Sequence, residues 1–80
     1  MRLDKFLKVS RIIKRRTVAK EVCSNDRVTI NEMPAKASSL VAPGDIIEIR
    51  FGDKKVKFRV VMVKDHVSQS EAPELYESMT

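Results

Sequence analysis

The chain has 80 residues, 42% hydrophobic and 34% charged, a composition typical of one small globular domain. A domain of this size buries only about 60% of its unfolded surface, which leaves no room for a catalytic domain beside a separate core. The formal charge of +5 favours polyanionic partners.

The first twenty residues carry most of the basic charge, with eight Lys or Arg against one acid, Asp4. Within this segment Leu3, Phe6 and Leu7 recur at helical spacing and predict a first helix that buries one apolar stripe. Asp4 precedes Lys8 by four residues, a spacing that favours an ion pair on the helix surface.

A second short helix is predicted after a basic connection. Its start lies either after a Thr17 cap or nearer Arg15, and Asn25-Asp26 ends it because both residues tolerate the left-handed conformation. Two short helices joined in this way form an αα-hairpin. The apolar stripe of the second helix comprises Val18, Ala19, Val22 and Cys23.

After residue 26 the apolar period changes to two, which predicts strands. Val28 and Ile30 belong to a short first strand, and two longer strands flank a turn at Gly52-Asp53. The predicted fold class is α+β, an αα-hairpin packed on a small, mainly antiparallel sheet. The apolar face of the two longer strands comprises Ile47, Ile49, Phe51, Val56, Phe58, Val60 and Met62.

The basic segment SRIIKRRTVAKE (residues 10–21) packs five Lys or Arg into twelve positions. Both flanking helices bury their apolar stripes, so the basic side chains should project together from the joint. Such a cluster suits A-form RNA, which offers phosphates and 2′-hydroxyls, because guanidinium groups match phosphate oxygens two at a time. An ordinary solvated helix face is the alternative.

The order of these elements resembles the RNA-binding domain named after ribosomal protein S-four. Three segments carry the resemblance, which covers residues 2–51: RLDKFLKVSR, RRTVAKEVCSNDRVTIN and KASSLVAPGDIIEIRF. Within this family, residues 1–22 closely resemble the small stand-alone factors of ribosome-associated quality control. SEAPELYE in the tail is similar to the related fifteen-kilodalton heat-shock proteins.

The resemblance divides the chain into an RNA-binding domain, residues 1–64 with a core motif at 2–51, and an acidic C-terminal tail, residues 65–80. In the tail, Leu75 and Tyr76 either dock a last helical turn or fray. Two departures from the family stand out, because Asp26 replaces a usual glycine and Asn31-Glu32 replaces an Asn-Gly turn. Glutamate adopts a positive φ less readily than glycine, so Glu32 makes the turn uncertain.

The resemblance also implies which side chains meet RNA. It places Arg2, Arg15 and Arg16 on the RNA-facing surface and sets the lysine-serine loop, with Lys36 and Ser38, beside it. Asp4 is expected to orient basic neighbours rather than to touch RNA. The predicted RNA-binding residues are Arg2, Lys5, Lys8, Arg11, Lys14, Arg15, Arg16, Lys20, Lys36 and Ser38.

No arrangement of residues in the sequence predicts catalysis, a metal site or a cofactor. Cys23 is the only cysteine and lies on an apolar stripe, which excludes an internal disulfide, while His66 lacks a second ligand candidate. The longest apolar run, residues 60–63, is far too short to span a membrane, and residues 1–20 lack the apolar stretch of a secretory signal. These features predict a soluble cytoplasmic protein that is not an enzyme.

The resemblance implies a non-catalytic factor of ribosome-associated quality control that braces peptidyl-tRNA on stalled large subunits during alanine tailing of the nascent chain. The implied partners are large-subunit rRNA, tRNA, the stalled large subunit with its nascent chain, and the factor that recruits alanine tRNA. We expect a monomer. The alternatives are a module acting in trans with an rRNA-modifying enzyme, and membrane-surface binding by residues 1–22. The latter is disfavoured because the core needs the same apolar stripe.

Overall fold

The computed structural model describes residues 1–79 and confirms the predicted α+β class. An αα-hairpin packs on one antiparallel sheet whose strands lie in the order β2-β1-β3-β4-β5. A 3-10 helix precedes the last strand. The elements are α1 (Leu3–Val9), α2 (Arg16–Ser24), β1 (Val28–Ile30), β2 (Met33–Pro34), β3 (Ile46–Phe51), β4 (Lys54–Val60), the 3-10 helix (Ala72–Leu75) and β5 (Tyr76–Ser78).

One face of the sheet and the apolar stripes of both helices form a single core. The predicted stripe of α1 is confirmed, since Leu3, Phe6 and Leu7 are fully buried. The ring of Phe6 stacks on that of Phe58, with 6.4 Å between the ring centroids, and so joins α1 to β4. The other large buried side chains from the sheet are Val28, Ile47, Ile49 and Val60.

Three residues predicted for the core are exposed instead. Val18 lies in the first turn of α2, at the edge of the stripe, and is 40% exposed. Phe51 ends β3 beyond the part of the sheet that the two short helices cover, and Met62 follows the end of β4; each is 36% exposed. These predictions were wrong because alternation gives the direction of a side chain but not whether another element covers it.

The structure settles both ends of α2. The helix begins at Arg16, and Arg15 occupies the N-cap position with an extended backbone and no capping side-chain hydrogen bond, so Thr17 is not the cap. The predicted end is confirmed, because Asp26 takes a φ of 54° directly after the helical residues and Asn25. A non-glycine residue thus adopts the left-handed conformation here.

The tight turn between β1 and β2 forms despite its glutamate. Asn31 and Glu32 both take positive φ values, 52° and 71°, as a two-residue type I′ turn requires. The Asn31 side chain fixes this conformation, because its amide donates to the Asp45 carboxylate at 3.1 Å and its carbonyl accepts the Ile46 N–H at 2.9 Å.

The tail contributes to the core of the domain. Leu75 is buried, and the Tyr76 ring meets the Phe58 ring edge-on with 5.6 Å between centroids. β5 pairs with β4 so that Tyr76 lies opposite Val60. The sequence did not predict this strand, because three residues are too few for an alternating pattern to show. Thr80, the last residue of the predicted tail, lies outside the described residues.

Candidate nucleic-acid interface

A buried carboxylate joins the starts of the two helices. The Asp4 side chain is fully buried in the first turn of α1, where helix N–H groups favour negative charge. Its two oxygens accept hydrogen bonds from Nε and Nη2 of Arg2, at 3.2 and 3.4 Å, and from Nε of Arg16 at 3.4 Å. A fourth bond, 2.8 Å long, comes from the backbone N–H of Lys5. We call Arg2, Asp4 and Arg16 the arginine clamp.

The clamp leaves both guanidinium groups accessible. The Arg2 and Arg16 side chains are 48% and 43% exposed, although Asp4 holds Arg2 through Nε and Nη2 and Arg16 through Nε. The remaining N–H groups of each fork can therefore meet an incoming anion in a fixed orientation. The surface pair predicted between Asp4 and Lys8 was wrong, because both Asp4 oxygens are taken by the arginines and a backbone N–H.

The lysine-serine loop is bonded to the N-terminus of α1. The backbone N–H groups of Leu3 and Asp4, which have no partner within the helix, donate to the carbonyls of Ser39 at 2.7 Å and Ala37 at 3.2 Å. This loop therefore accepts helix N–H groups that the side chain of the N-cap residue, Arg2, does not cap.

A serine that sequence reasoning missed closes that loop. The hydroxyl of Ser39 accepts the backbone N–H of Lys36 at 2.8 Å, a local bond that serines commonly make in turns. The predicted residues Lys36 and Ser38 are both exposed and line one groove together with Arg2. The structure thus brings the loop and the clamp together.

The connection between the helices exposes its basic side chains and buries neighbouring residues in the core. Ser10 and Ile13 are buried, and the Ile13 N–H donates to the Leu7 carbonyl at 3.1 Å. Arg11 takes a φ of 62°, which turns the chain sharply after α1. Arg11 and Lys14 are exposed, as the predicted projection from the joint requires.

Nine of the ten predicted residues fall into two groups. Arg2 and Arg16 belong to the clamp, Lys36 and Ser38 line the groove beside Arg2, and Lys20 lies one turn after Arg16 on the same side of α2. Arg15 is exposed at the N-cap of α2, next to the clamp. A second groove brings together Lys8, Arg11 and Lys14, with Asp65, His66 and Val67 opposite them.

Lys5 differs from the other predicted RNA-binding residues because its side chain is held in an ion pair with the tail. Its ammonium group lies 3.0 Å from the Asp65 carboxylate, a contact across 60 positions of the chain that sequence reasoning missed. The hydrogen bond from Lys5 lowers the pKa of Asp65 below its ordinary value. The only feature of the sequence that pointed to this contact was the accumulation of acids in the tail against a basic N-terminal segment.

Cys23 is a buried small hydrophobe, as predicted. Burial, and then the negative charge of Asp4, raises the pKa of its thiol to about 11, so the thiol is protonated at neutral pH. Across residues 1–79 no group of three His, Cys, Asp or Glu side chains could hold a metal ion. None of the helices over the same residues could cross a membrane.

Comparison with known proteins places this surface in a family. Residues 1–47 match the S4 domain. The chain is 57% identical to the RQC P-site tRNA stabilizing factor of Halalkalibacterium halodurans over 96% of this chain and 88% of that protein. It is equally similar to the factor of the same name from Bacillus subtilis, 57% identical over 95% of this chain and 88% of that protein.

A solved structure supports the same relationship. The Heat Shock Protein 15 of Vibrio cholerae, described as trimeric, superposes with a TM-score of 0.88 at 30% identity, covering 99% of this chain and 81% of that one. The chain therefore belongs to the S4-domain family of the RQC P-site tRNA stabilizing factors.

Proposed function

We propose that this chain is a non-catalytic RNA-binding factor that stabilises tRNA on the large ribosomal subunit during ribosome-associated quality control in the cytoplasm. The arginine clamp carries the proposal, because a buried carboxylate that fixes two half-exposed guanidinium groups suits phosphate recognition better than solvation. The names of its relatives support tRNA and its P-site as the place of action.

The two groups of basic residues support a bracing mechanism. The clamp group lies at the start of both helices and the second group lies along the other groove of the αα-hairpin. One group contacts large-subunit rRNA and the other contacts tRNA, so the domain holds peptidyl-tRNA in position on a stalled subunit. The chemistry of alanine tailing is left to the subunit and to the factor that recruits alanine tRNA. The ten residues predicted above form the contact surface.

The factor acts as a monomer in this proposal. The trimer described for the Heat Shock Protein 15 of Vibrio cholerae gives the competing expectation. A wedge placed between two RNAs needs both grooves free. Sedimentation of the pure protein at micromolar concentration should therefore give the mass of one chain.

The decisive experiment compares two arginines of similar exposure. Arg16 and Arg59 are each about half exposed and each bonds one carboxylate, Asp4 and Glu77 respectively. Arg16→Ala should weaken binding to large subunits carrying P-site tRNA by about 1 to 3 kcal/mol, the range for hydrogen bonds to charged groups. The log-log salt slope should fall by about one unit.

Arg59→Ala is the matched control, because it removes the same charge from the sheet face that points away from the helices. It should leave binding unchanged and cost at most about 1 kcal/mol of stability, as an exposed ion pair does. Equal losses of affinity from the two variants would mean that the basic surface attracts RNA only through net charge. Binding to an rRNA-modifying enzyme but not to subunits would instead favour a module that acts in trans.

A further inference from the structure

Three basic residues stand in one row across neighbouring strands at the β3–β4 hairpin end of the sheet. Arg50 lies directly opposite Lys55, and the Arg50 N–H donates to the Arg27 carbonyl at 2.8 Å on the other side. The adjoining residues Val28 and Ile49 are buried on the helix-bearing face, so strand alternation directs the three basic residues to the opposite face. We call Arg27, Arg50 and Lys55 the cation row.

The cation row makes no evident contribution to stability. All three side chains are exposed, and none forms a salt bridge within the part of the chain that the structure describes. Like charges directly opposite one another on adjacent strands destabilise a sheet. Elsewhere on the same face the charges are mixed, since Glu48 lies opposite Lys57 in the next row. A row of unrelieved positive charge is therefore explained better by an anionic ligand than by the fold.

The neighbours of the row leave it positively charged. Phe51 and Lys54 lie opposite each other next along the strands, and alternation directs both to the helix-bearing face, so neither side chain belongs to the row. The nearest acid on the same face of the strands, Glu48, lies opposite Lys57. Asp26 and Asp53 are exposed and form no salt bridge in residues 1–79, and two carboxylates do not cancel three cations.

The row is connected to the surface described above. Asp26 lines the groove that contains Arg2 and Lys36, and Arg27 follows it directly in the chain. The whole molecule is only 29 Å in its longest dimension. A bound RNA that leaves the clamp groove past the end of α2 would meet the hairpin next.

We propose that the cation row is a second RNA-contacting site that binds the phosphates of an RNA strand. The inference rests on the proposed function, because it takes RNA as the partner. Adjacent strands lie about 4.8 Å apart, so the row presents a positive charge at each of three closely spaced positions. Arg27 and Arg50 add guanidinium forks suited to phosphate oxygens.

The test uses the full chain, purified large ribosomal subunits carrying tRNA, and a double variant, Arg50→Gln with Lys55→Gln. Removing the like-charge pair should leave the melting temperature unchanged or higher. Affinity for the subunits should fall by about tenfold, and the log-log salt slope should fall by about 1.4 to 1.8 if two phosphate contacts are lost. A role confined to the fold would instead lower the melting temperature.

The matched control is Lys57→Gln with Arg59→Gln, which removes the same charge from the next positions along the same face. It should keep wild-type affinity for the subunits.

The outcomes separate this inference from the proposed function. If the double variant binds normally while Arg16→Ala binds weakly, the cation row is not a site and the proposed function stands. If both bind normally, both proposals fall. If the double variant loses affinity for subunits but not for rRNA and tRNA freed of protein, the row faces an acidic protein and the RNA inference is wrong. Equal losses from the double variant and its control would reduce the effect to net charge and also overturn it.

Discussion

Asp4 shows how one buried residue organises an exposed surface. Its carboxylate accepts four hydrogen bonds, two from Arg2, one from Arg16 and one from the backbone of Lys5, and no buried side-chain polar atom in residues 1–79 lacks a partner. An ionised carboxylate has only acceptor sites, so it matches these four donors without conflict. An amide at the same place would turn an N–H group toward one of the guanidinium groups.

We therefore expect Asp4→Asn to lower the free energy of unfolding by about 1 to 3 kcal/mol. The loss stays below that of a fully buried ion pair, because water reaches both arginines. RNA affinity should fall as well, since the two forks lose their fixed orientation. Chemical denaturation and a binding titration measure the two effects. Asp65→Asn removes the same charge at an exposed site and should change stability little; an equal loss from both variants would contradict the clamp.

Cys23 gives the folded state a defined response to alkaline pH. Its folded pKa of about 11 lies above the ordinary value of 9.0, so the unfolded chain loses the thiol proton first as pH rises. The stability that this thiol contributes is complete below pH 9 and is lost between pH 9 and 11. The free energy of unfolding of the wild type should therefore fall further than that of Cys23→Ala over this range, by about 1 to 3 kcal/mol, as chemical denaturation at each pH measures. Parallel pH profiles would show that the thiol ionises equally in both states.

The secondary-structure elements are too short to be stable alone. α1 has seven residues and α2 has nine, below the length at which isolated helices persist in water. Their stability comes from the buried stripes and from the loop that caps α1. The turns bear strain, and Glu32, with a φ of 71°, is the clearest case.

Glu32→Gly should raise the free energy of unfolding by about 0.5 to 1 kcal/mol, because glycine relieves the left-handed strain at some cost in unfolded-chain entropy. The matched control is Glu21→Gly, the same chemical change at an exposed position inside α2, which should cost about 1 kcal/mol. Thermal melts of the two variants should therefore show stability changes of opposite sign. Destabilisation by both changes would mean that Glu32 has stabilising contacts that outweigh its backbone strain.

Local sequence patterns predicted where helices and strands form better than they predicted which side chains other elements cover. Leu3, Phe6 and Leu7 predicted α1 because helical spacing is a property of consecutive residues. Phe51 and Met62 were misplaced because their burial depends on how far the helices and β4 extend, which no local pattern contains. The last strand was missed for the same reason, since it is defined by its pairing with β4.

The candidate site was predictable only in part. Charge density and the αα-hairpin predicted that basic side chains gather at the joint. The resemblance to the S-four family added Arg2, Lys36 and Ser38. Long-range contacts such as Lys5 with Asp65 could not be predicted from sequence spacing, and the cation row requires the register between three strands.

Three aromatic rings in contact with one another join separate elements at the centre of the molecule. Phe6 stacks on Phe58 and Phe58 meets Tyr76, so α1, β4 and β5 share one packed core. The tail is thereby part of the fold, although its acidic composition sets it apart. Loss of one of these rings should therefore destabilise the whole domain.

Phe6→Ala should destabilise the domain by about 3 to 5 kcal/mol, because it opens a cavity at a fully buried position. Small domains have total stabilities of about 5 kcal/mol, so much of this variant should be unfolded at room temperature. Circular dichroism during urea denaturation measures the shift. Phe51→Ala, which removes the same ring from a position 36% exposed, should change the midpoint far less. Similar midpoints for the two variants would contradict the assignment of the core.

The bonds between the lysine-serine loop and α1 also determine the entropy of binding. Fixing the backbone of a free loop costs about 1 to 2 kcal/mol per residue, and a loop that becomes ordered only on its ligand subtracts that cost from affinity. Here the N–H groups of Leu3 and Asp4, with the Ser39 hydroxyl, order the loop when the domain folds. The groove therefore meets its ligand already rigid, and its affinity depends on charge and shape rather than on induced order.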